Sequence, residues 1–298
     1  MLKPSTGVKI CLGRAPADCN RGNTFVARAR YAEGVPFATG DIRIHYETGG
    51  EGPPLLLLQH AGASRLGWSG EFLARLAGDF RLILGDSRGT GRSDKPDEPF
   101  TVLDMAGDGV LDDLGVARAH LLGLSMGGAV AQELVLYAPE RVERLVLVST
   151  LAGWARAEQP PEWVRETWAS DPALSPMERR RRLLAVNYSR AFWADHGEQV
   201  SKQMARATAG MPLHATVRQG EAISGFDTYD RLPHIPCSTL VVHGTEDVVV
   251  PPQNGRVLAR RIPHARFAEV DGAGHIPMTE QPETVARIVR DFLDADQP

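Results

Sequence analysis

Six short stretches of the chain are apolar at nearly every position: PLLLLQH, FRLILGD, AHLLGLS, RLVLVST, STLVVHG and ARFAEVD. Their apolar residues run continuously instead of alternating with polar ones, the pattern of strands buried on both faces of a parallel sheet. Between several of them apolar positions recur at helical spacing, over Trp68 to Gly78, Leu103 to Leu114, Met126 to Tyr137, Pro252 to Arg261 and Pro282 to Leu293. This alternation predicts an α/β fold: a mostly parallel central sheet flanked by helices and joined by right-handed crossovers. Ahead of it, VPFATGDIRIHYET has two β-like runs around Thr39-Gly40-Asp41 and predicts a hairpin.

The rhythm stops after the strand Arg144 to Thr150. From Leu151 to Pro236 no strand is expected, and PEWVRETWAS, PMERRRRLLAVNY and GEQVSKQMARATA read as helices. An insertion at that point sits over the carboxyl edge of the sheet, where α/β folds place their ligands, so residues 151–236 are expected to form a helical cap. The core then comprises residues 35–150 and 237–298. The run ERRRR reads as a solvated helix face, with Glu178 and Arg182 paired at i,i+4. Residues 1–34 show neither period and read as an N-terminal extension without regular structure.

Composition narrows the partners. A chain of 298 residues that is 43% hydrophobic buries a full core. A net charge of -4 gives no pull toward nucleic acid or an anionic membrane, so neither is expected as a partner. No stretch has the apolar length of a signal peptide or a membrane span. Cys11, Cys19 and Cys237 match neither a disulfide framework nor a zinc spacing, which fits a reducing cytoplasm. The Gly-Thr-Gly of GDSRGTGRSD is too short for a dinucleotide fingerprint, and Asp86 and Arg88 read as anchors of that turn. No cofactor and no metal are expected, and the partner is a small molecule.

The candidate chemistry centres on HLLGLSMGGAVAQ, residues 120 to 132. Ser125 falls between a buried strand and an amphipathic helix, at a turn tight enough to push its side chain out of the backbone. Bulky residues two positions to either side would collide across that turn, and Gly123 and Gly127 remove the collision. A serine hydroxyl is a weak nucleophile near neutral pH and needs a base, itself oriented by a carboxylate. His275, in VDGAGHIP, follows the last predicted strand in a glycine-rich loop and is the best placed of nine histidines. HGTEDVVVP offers two carboxylates after the preceding strand. Asp247, followed by an apolar run that docks the loop, is better placed than its neighbour Glu246. The order Ser, Asp, His along the chain suits this topology.

GLSMGG, HGTEDVVVP and GAGHIP, with QHAGASRLGW and GDSRGTGRSD upstream, resemble the α/β-hydrolase superfamily from about Val35 onward. Within it the chain is similar to capped esterases, lactonases and cofactor-free perhydrolases, the 3-oxoadipate enol-lactonases among them. The resemblance implies an α/β-hydrolase fold with Ser125 as nucleophile, Asp247 as triad acid and His275 as base. It also implies an oxyanion hole built from the backbone N–H groups of Met126 and Gly62. The motif departs from the family at Ala61, where glycine is usual, and His60 reads as a loop-organising residue and as a candidate for the substrate pocket. In the cap, Trp154, Trp163, Trp168, Phe192, Trp193, Met204 and Met211 are candidates either for an apolar acyl pocket or for packing the cap onto the body. The expected activity is hydrolysis of a carboxylic ester or lactone. Perhydrolysis, thioester hydrolysis and C–C bond hydrolysis use the same triad, and a fold that binds a small ligand without turnover is a further alternative.

Overall fold

A computed structural model describes residues 37–39, 42–169 and 174–295. The expected extension over residues 1–34, with Cys11 and Cys19, lies outside them. The strands are β1 (Phe37–Thr39), β2 (Arg43–Gly49), β3 (Pro54–Leu58), β4 (Arg81–Gly85), β5 (Ala119–Leu124), β6 (Val142–Val148), β7 (Thr239–Gly244) and β8 (Arg266–Val270). They form one sheet in the order β1-β2-β4-β3-β5-β6-β7-β8. β1 and β2 pair antiparallel in the register Phe37 to His45, as the hairpin signal predicts. β2 also lies antiparallel to β4, and every pairing from β4 through β8 is parallel.

The continuous apolar runs are explained by burial on both faces. All six residues of β5 and all six of β7 are buried, whereas β8 at the edge is mostly open. Leu55, Leu57, Leu122, Leu124, Val146 and Val148 face one layer with Trp68 and Phe72. Leu56, Leu121, Leu145, Leu147 and Val241 face the other. Each such side chain contributes roughly 1.5–3 kcal/mol on leaving water, so the central strands are the rigid platform from which the loops project.

The helices are α1 (Gly70–Leu76), α2 (Val102–Ala106), α3 (Val110–Asp113), α4 (Met126–Tyr137), α5 (Glu162–Trp168), α6 (Pro176–Ala185), α7 (Arg190–Ala207), α8 (Leu213–Ser224), α9 (Pro252–Arg261), α10 (Pro277–Glu280) and α11 (Pro282–Leu293). Three departures from expectation have local causes. The helix predicted from Leu103 to Leu114 is two short helices, because Gly107-Asp108-Gly109 interrupts it and Gly109 adopts φ 73°. A cavity of about 340 Å³ opens beside that break, lined in part by Met105, Val110 and Val130. Glu178 does not serve mainly as a partner for Arg182. It closes a capping box with Ser175, accepting the Ser175 N–H at 3.0 Å. Finally, α7 begins at Arg190, ahead of the expected start, because the Ser189 hydroxyl caps it by accepting the Phe192 N–H.

α5 to α8 all lie between β6 and β7, and they touch the body at the loops that follow the strands. The Ser64 N–H donates to Ala207 O at 2.9 Å, and the Gln203 amide donates to Trp68 O at 3.0 Å. Among the described residues, no helix is long and apolar enough to cross a membrane.

Candidate active site

The turn between β5 and α4 holds Ser125 at φ 54° and ψ −116°, a conformation that costs a non-glycine residue about 1–3 kcal/mol and persists only where neighbours enforce it. They do so through the backbone. The Ser125 N–H donates to Val148 O at 2.9 Å, and Ser125 O accepts from the Thr150 hydroxyl at 2.7 Å. The flanking glycines are required by contact: a Cβ at Gly123 would lie 2.3 Å from Gly127 O, and one at Gly127 only 2.0 Å from Leu58 O. Ser125 itself is partly buried, although the residues on either side of it are fully buried.

Two loops further along the same sheet edge carry Asp247 and His275. Asp247 follows β7 and is buried. Its Oδ1 accepts the N–H groups of Val249 and Val250, each at 2.9 Å. Its Oδ2 lies 2.8 Å from His275 Nδ1 and 3.2 Å from His243 Nε2. His243, on β7, also directs Nε2 at Val250 O, 2.8 Å away, so the proton resides there. Burial alone would raise the Asp247 pKa. The charge of His275 and the bonds from both histidines outweigh that and hold the carboxyl well below the usual carboxylate range. Glu246, the competing carboxylate, is exposed.

His275 sits between β8 and α10 and is 2% exposed. Because ionised Asp247 only accepts, the Nδ1 of His275 that faces it carries a proton, so in the neutral ring the lone pair lies on Nε2. The loop is tied to the helical insertion, since the N–H groups of His275 and Ile276 both donate to Asn187 O, at 3.0 and 3.2 Å. Glu280 on α10 clamps both sides, accepting from Gly274 N at 2.9 Å and from the Ser189 hydroxyl at 2.5 Å.

The loop after β3 is ordered by side chains. Gln59 Oε1 accepts the His60 N–H at 2.9 Å, and His60 Nδ1 donates to Ala61 O at 2.8 Å. His60 thus organises its own loop. Burial, with the nearby charge of His275 adding to it, pushes its pKa down to about 4 despite the Ala61 bond, and it is neutral near pH 7. Gly62, expected as an oxyanion donor, gives its N–H to Gln219 Oε1 at 2.8 Å. The N–H groups of Ala61 and Met126 have no acceptor among the described residues. At the end of β4, buried Asp86 accepts from Arg65 N at 2.8 Å, Arg92 N at 3.0 Å and His45 Nδ1 at 3.1 Å. Arg88 pairs with Asp108 and donates to Asp104 O at 2.9 Å, so both residues anchor the turn that holds them.

The aromatic candidates separate. Trp154 is partly buried and packs against the cluster that holds Met126, Leu151 and Val250, beside the Ser125 turn. Trp163 is 53% exposed and Trp168 38% exposed. Phe192 and Trp193 both stack on Tyr188, and Met204 is buried with Trp68 and Phe72. No cluster of His, Cys, Asp and Glu suited to a metal ion is found among the described residues. Sequence reasoning missed Gln219, Glu280, Asn187 and the supporting role of His243. Only Gln219 left a trace, as a lone polar residue on the buried stripe Ala215, Gln219, Ala222 of α8.

A buried acid and imidazole are paired on late loops of a parallel sheet, and a strained serine stands on an earlier loop at the same edge. The alpha/beta hydrolase fold family matches residues 53–282, and the chain belongs to it and is a hydrolase. Individual relatives act on different bonds. A protein of Azorhizobium caulinodans provisionally named carbamate hydrolase RutD is 32% identical over 87% of this chain and 98% of its own length. The 2-hydroxymuconate semialdehyde hydrolase of Pseudomonas putida is 32% identical over 82% of this chain and 88% of its own. Among solved structures, the enol-lactonase of Burkholderia xenovorans superposes with a TM-score of 0.77 at 28% identity, covering 87% of this chain and all of the lactonase.

Proposed function

We propose that the chain is a serine hydrolase that cleaves a carboxylic ester or lactone of a small molecule through an acyl-enzyme on Ser125. The observation that carries this reading is the 2.8 Å contact between His275 Nδ1 and an Asp247 locked by two backbone N–H groups. That pairing leaves His275 Nε2 as the base. Ser125 Oγ attacks the carbonyl carbon as Nε2 takes its proton. The tetrahedral intermediate collapses, and His275 returns the proton to the departing alkoxide. Water then repeats the sequence on the acyl-enzyme.

The oxyanion needs two N–H donors. Met126 supplies one, at the start of α4, where the helix dipole adds to it. Ala61 supplies the second in place of Gly62, whose N–H is committed to Gln219. Each donor is worth about 3 kcal/mol in the transition state. Residues 151–236 act as the cap, with Trp154 as an acyl-pocket wall, while Trp163, Trp168, Phe192 and Trp193 pack or face solvent.

Hydrolysis of p-nitrophenyl acetate and butyrate and of a δ-lactone tests the reading, with a burst of one p-nitrophenolate per site expected when deacylation is slow. Folded protein that turns over none of them overturns it. C–C bond hydrolysis on the same triad is the second reading, favoured by the 2-hydroxymuconate semialdehyde hydrolase relative. A kcat/KM for a vinylogous 1,5-diketone exceeding those for every ester and lactone would select it.

A further inference from the structure

Gln219 is 1% exposed, and both ends of its amide are spent across the gap between α8 and the body. Oε1 accepts the Gly62 N–H at 2.8 Å, and Nε2 donates to Arg88 O at 2.9 Å. Arg88 is fixed in turn by Asp108 and Asp104 O, so its carbonyl is a firm anchor. The helix approaches closely because position 89 is glycine at φ 90°, where a Cβ would stand 3.1 Å from the Ala215 Cβ. A single side chain therefore joins the loop after β3, the loop after β4 and the helical insertion. A buried amide bonded at both ends is costly to disturb, since either loss strands a desolvated group.

We propose that Gln219 is the positioning residue of the oxyanion loop: it fixes Gly62, and through it the adjoining Ala61 N–H, so that the donor is assembled only when α8 is seated on the body. The inference rests on the serine-hydrolase reading above. It makes the insertion part of the catalytic apparatus as well as a cover, because a helix from residue 213 onward sets the geometry of a loop near residue 61. The mechanism is geometric. Freed from Gln219, the peptide at Ala61 rotates away from the position where negative charge develops, and a donor that must reorganise during the reaction loses much of its value.

The test compares Gln219→Met, which keeps bulk and loses both bonds, with Gln219→Glu, which keeps an oxygen for Gly62 and loses the donor to Arg88 O. Gln219→Ala replaces the methionine variant if the latter does not fold. Each is assayed with p-nitrophenyl acetate per titrated active site, alongside the rate of inactivation by a fluorophosphonate, the pH profile of kcat and thermal melting. The expected result for Gln219→Met is a kcat lowered about 10- to 100-fold with KM within about threefold. Inactivation should slow in parallel, and the pH profile should keep its midpoint because Asp247 and His275 are untouched. Gln219→Glu should recover at least a third of the lost activity on a logarithmic scale. A purely structural role would lower the melting temperature and leave kcat per site unchanged. That result, or a glutamate variant no better than methionine, overturns the inference. A parent protein not labelled at Ser125 overturns the serine-hydrolase reading and the inference with it, whereas labelling in the parent with equal rates in the variants overturns the inference alone.

Discussion

Replacing Asp247 by asparagine exchanges one oxygen for an NH2 group and leaves no acceptable arrangement of the amide. If Nδ2 takes the place of Oδ2, it points at the proton on His275 Nδ1, 2.8 Å away, and at the proton on His243 Nε2, 3.2 Å away. If the amide is turned over, Nδ2 faces the N–H groups of Val249 and Val250, both 2.9 Å from that position. One orientation drives His275 to the tautomer with its proton on Nε2, where it no longer serves as a base. The other breaks two backbone bonds that hold the loop. The charge that stabilises the imidazolium is gone in both. Turnover should fall about 1,000- to 10,000-fold. Loss of charge-assisted bonds to a buried carboxylate should also cost about 1.5–3 kcal/mol of stability. The assay is kcat on p-nitrophenyl acetate per folded protein, with urea unfolding to report stability, and Glu246→Gln as the control. Glu246 is exposed, so its variant should stay within about twofold of the parent. An Asp247→Asn enzyme within tenfold of the parent, or a larger loss in Glu246→Gln, would refute the reasoning.

Two further predictions concern stability. His60 has a folded-state pKa near 4, below its ordinary value, so between about pH 6.5 and 4 the unfolded chain binds a proton that the folded one does not. Stability is therefore present above that window and lost as the pH falls through it. His60→Gln should flatten the pH dependence of the urea midpoint there, and a slope equal to the parent's would exclude the shift. Gly127→Ala places a Cβ 2.0 Å from Leu58 O, a backbone atom that moves only with β3. It should cost about 3 kcal/mol or more by urea unfolding, and a variant within 1 kcal/mol of the parent would show that the turn is looser than described.

Most of the framework was legible because burial on both faces imposes a pattern on each strand separately. The six apolar runs became β3 to β8, and α4, α9 and α11 have the bounds that their spacing implies. The misses arose where a local signal was weak or where a distant residue decided the outcome. Gly107 and Gly109 divide a segment whose apolar spacing still looks helical. α8 carries only Ala215, Gln219 and Ala222 as fully buried positions, too small and mixed a stripe to stand out. Ser125, Asp247 and His275 stand out as candidates in the sequence because each stands where a strand ends beside residues suited to a tight turn. The bond that occupies the Gly62 N–H could not be read there, since it comes from a glutamine 157 positions away. Sequence spacing carries no record of such a bond.

The central claim is that Ser125 is the nucleophile, and covalent labelling tests it most directly. A fluorophosphonate forms its tetrahedral adduct only where a hydroxyl, a base and an oxyanion hole converge, because the adduct imitates the transition state of acylation. After brief treatment, peptide mass spectrometry should find one adduct, on the peptide containing GLSMGG, with ester hydrolysis lost in proportion to labelling. Ser125→Ala should show neither labelling nor turnover and should melt near the parent temperature. An adduct on a different serine, or hydrolysis by the alanine variant at the parent rate, would contradict the account.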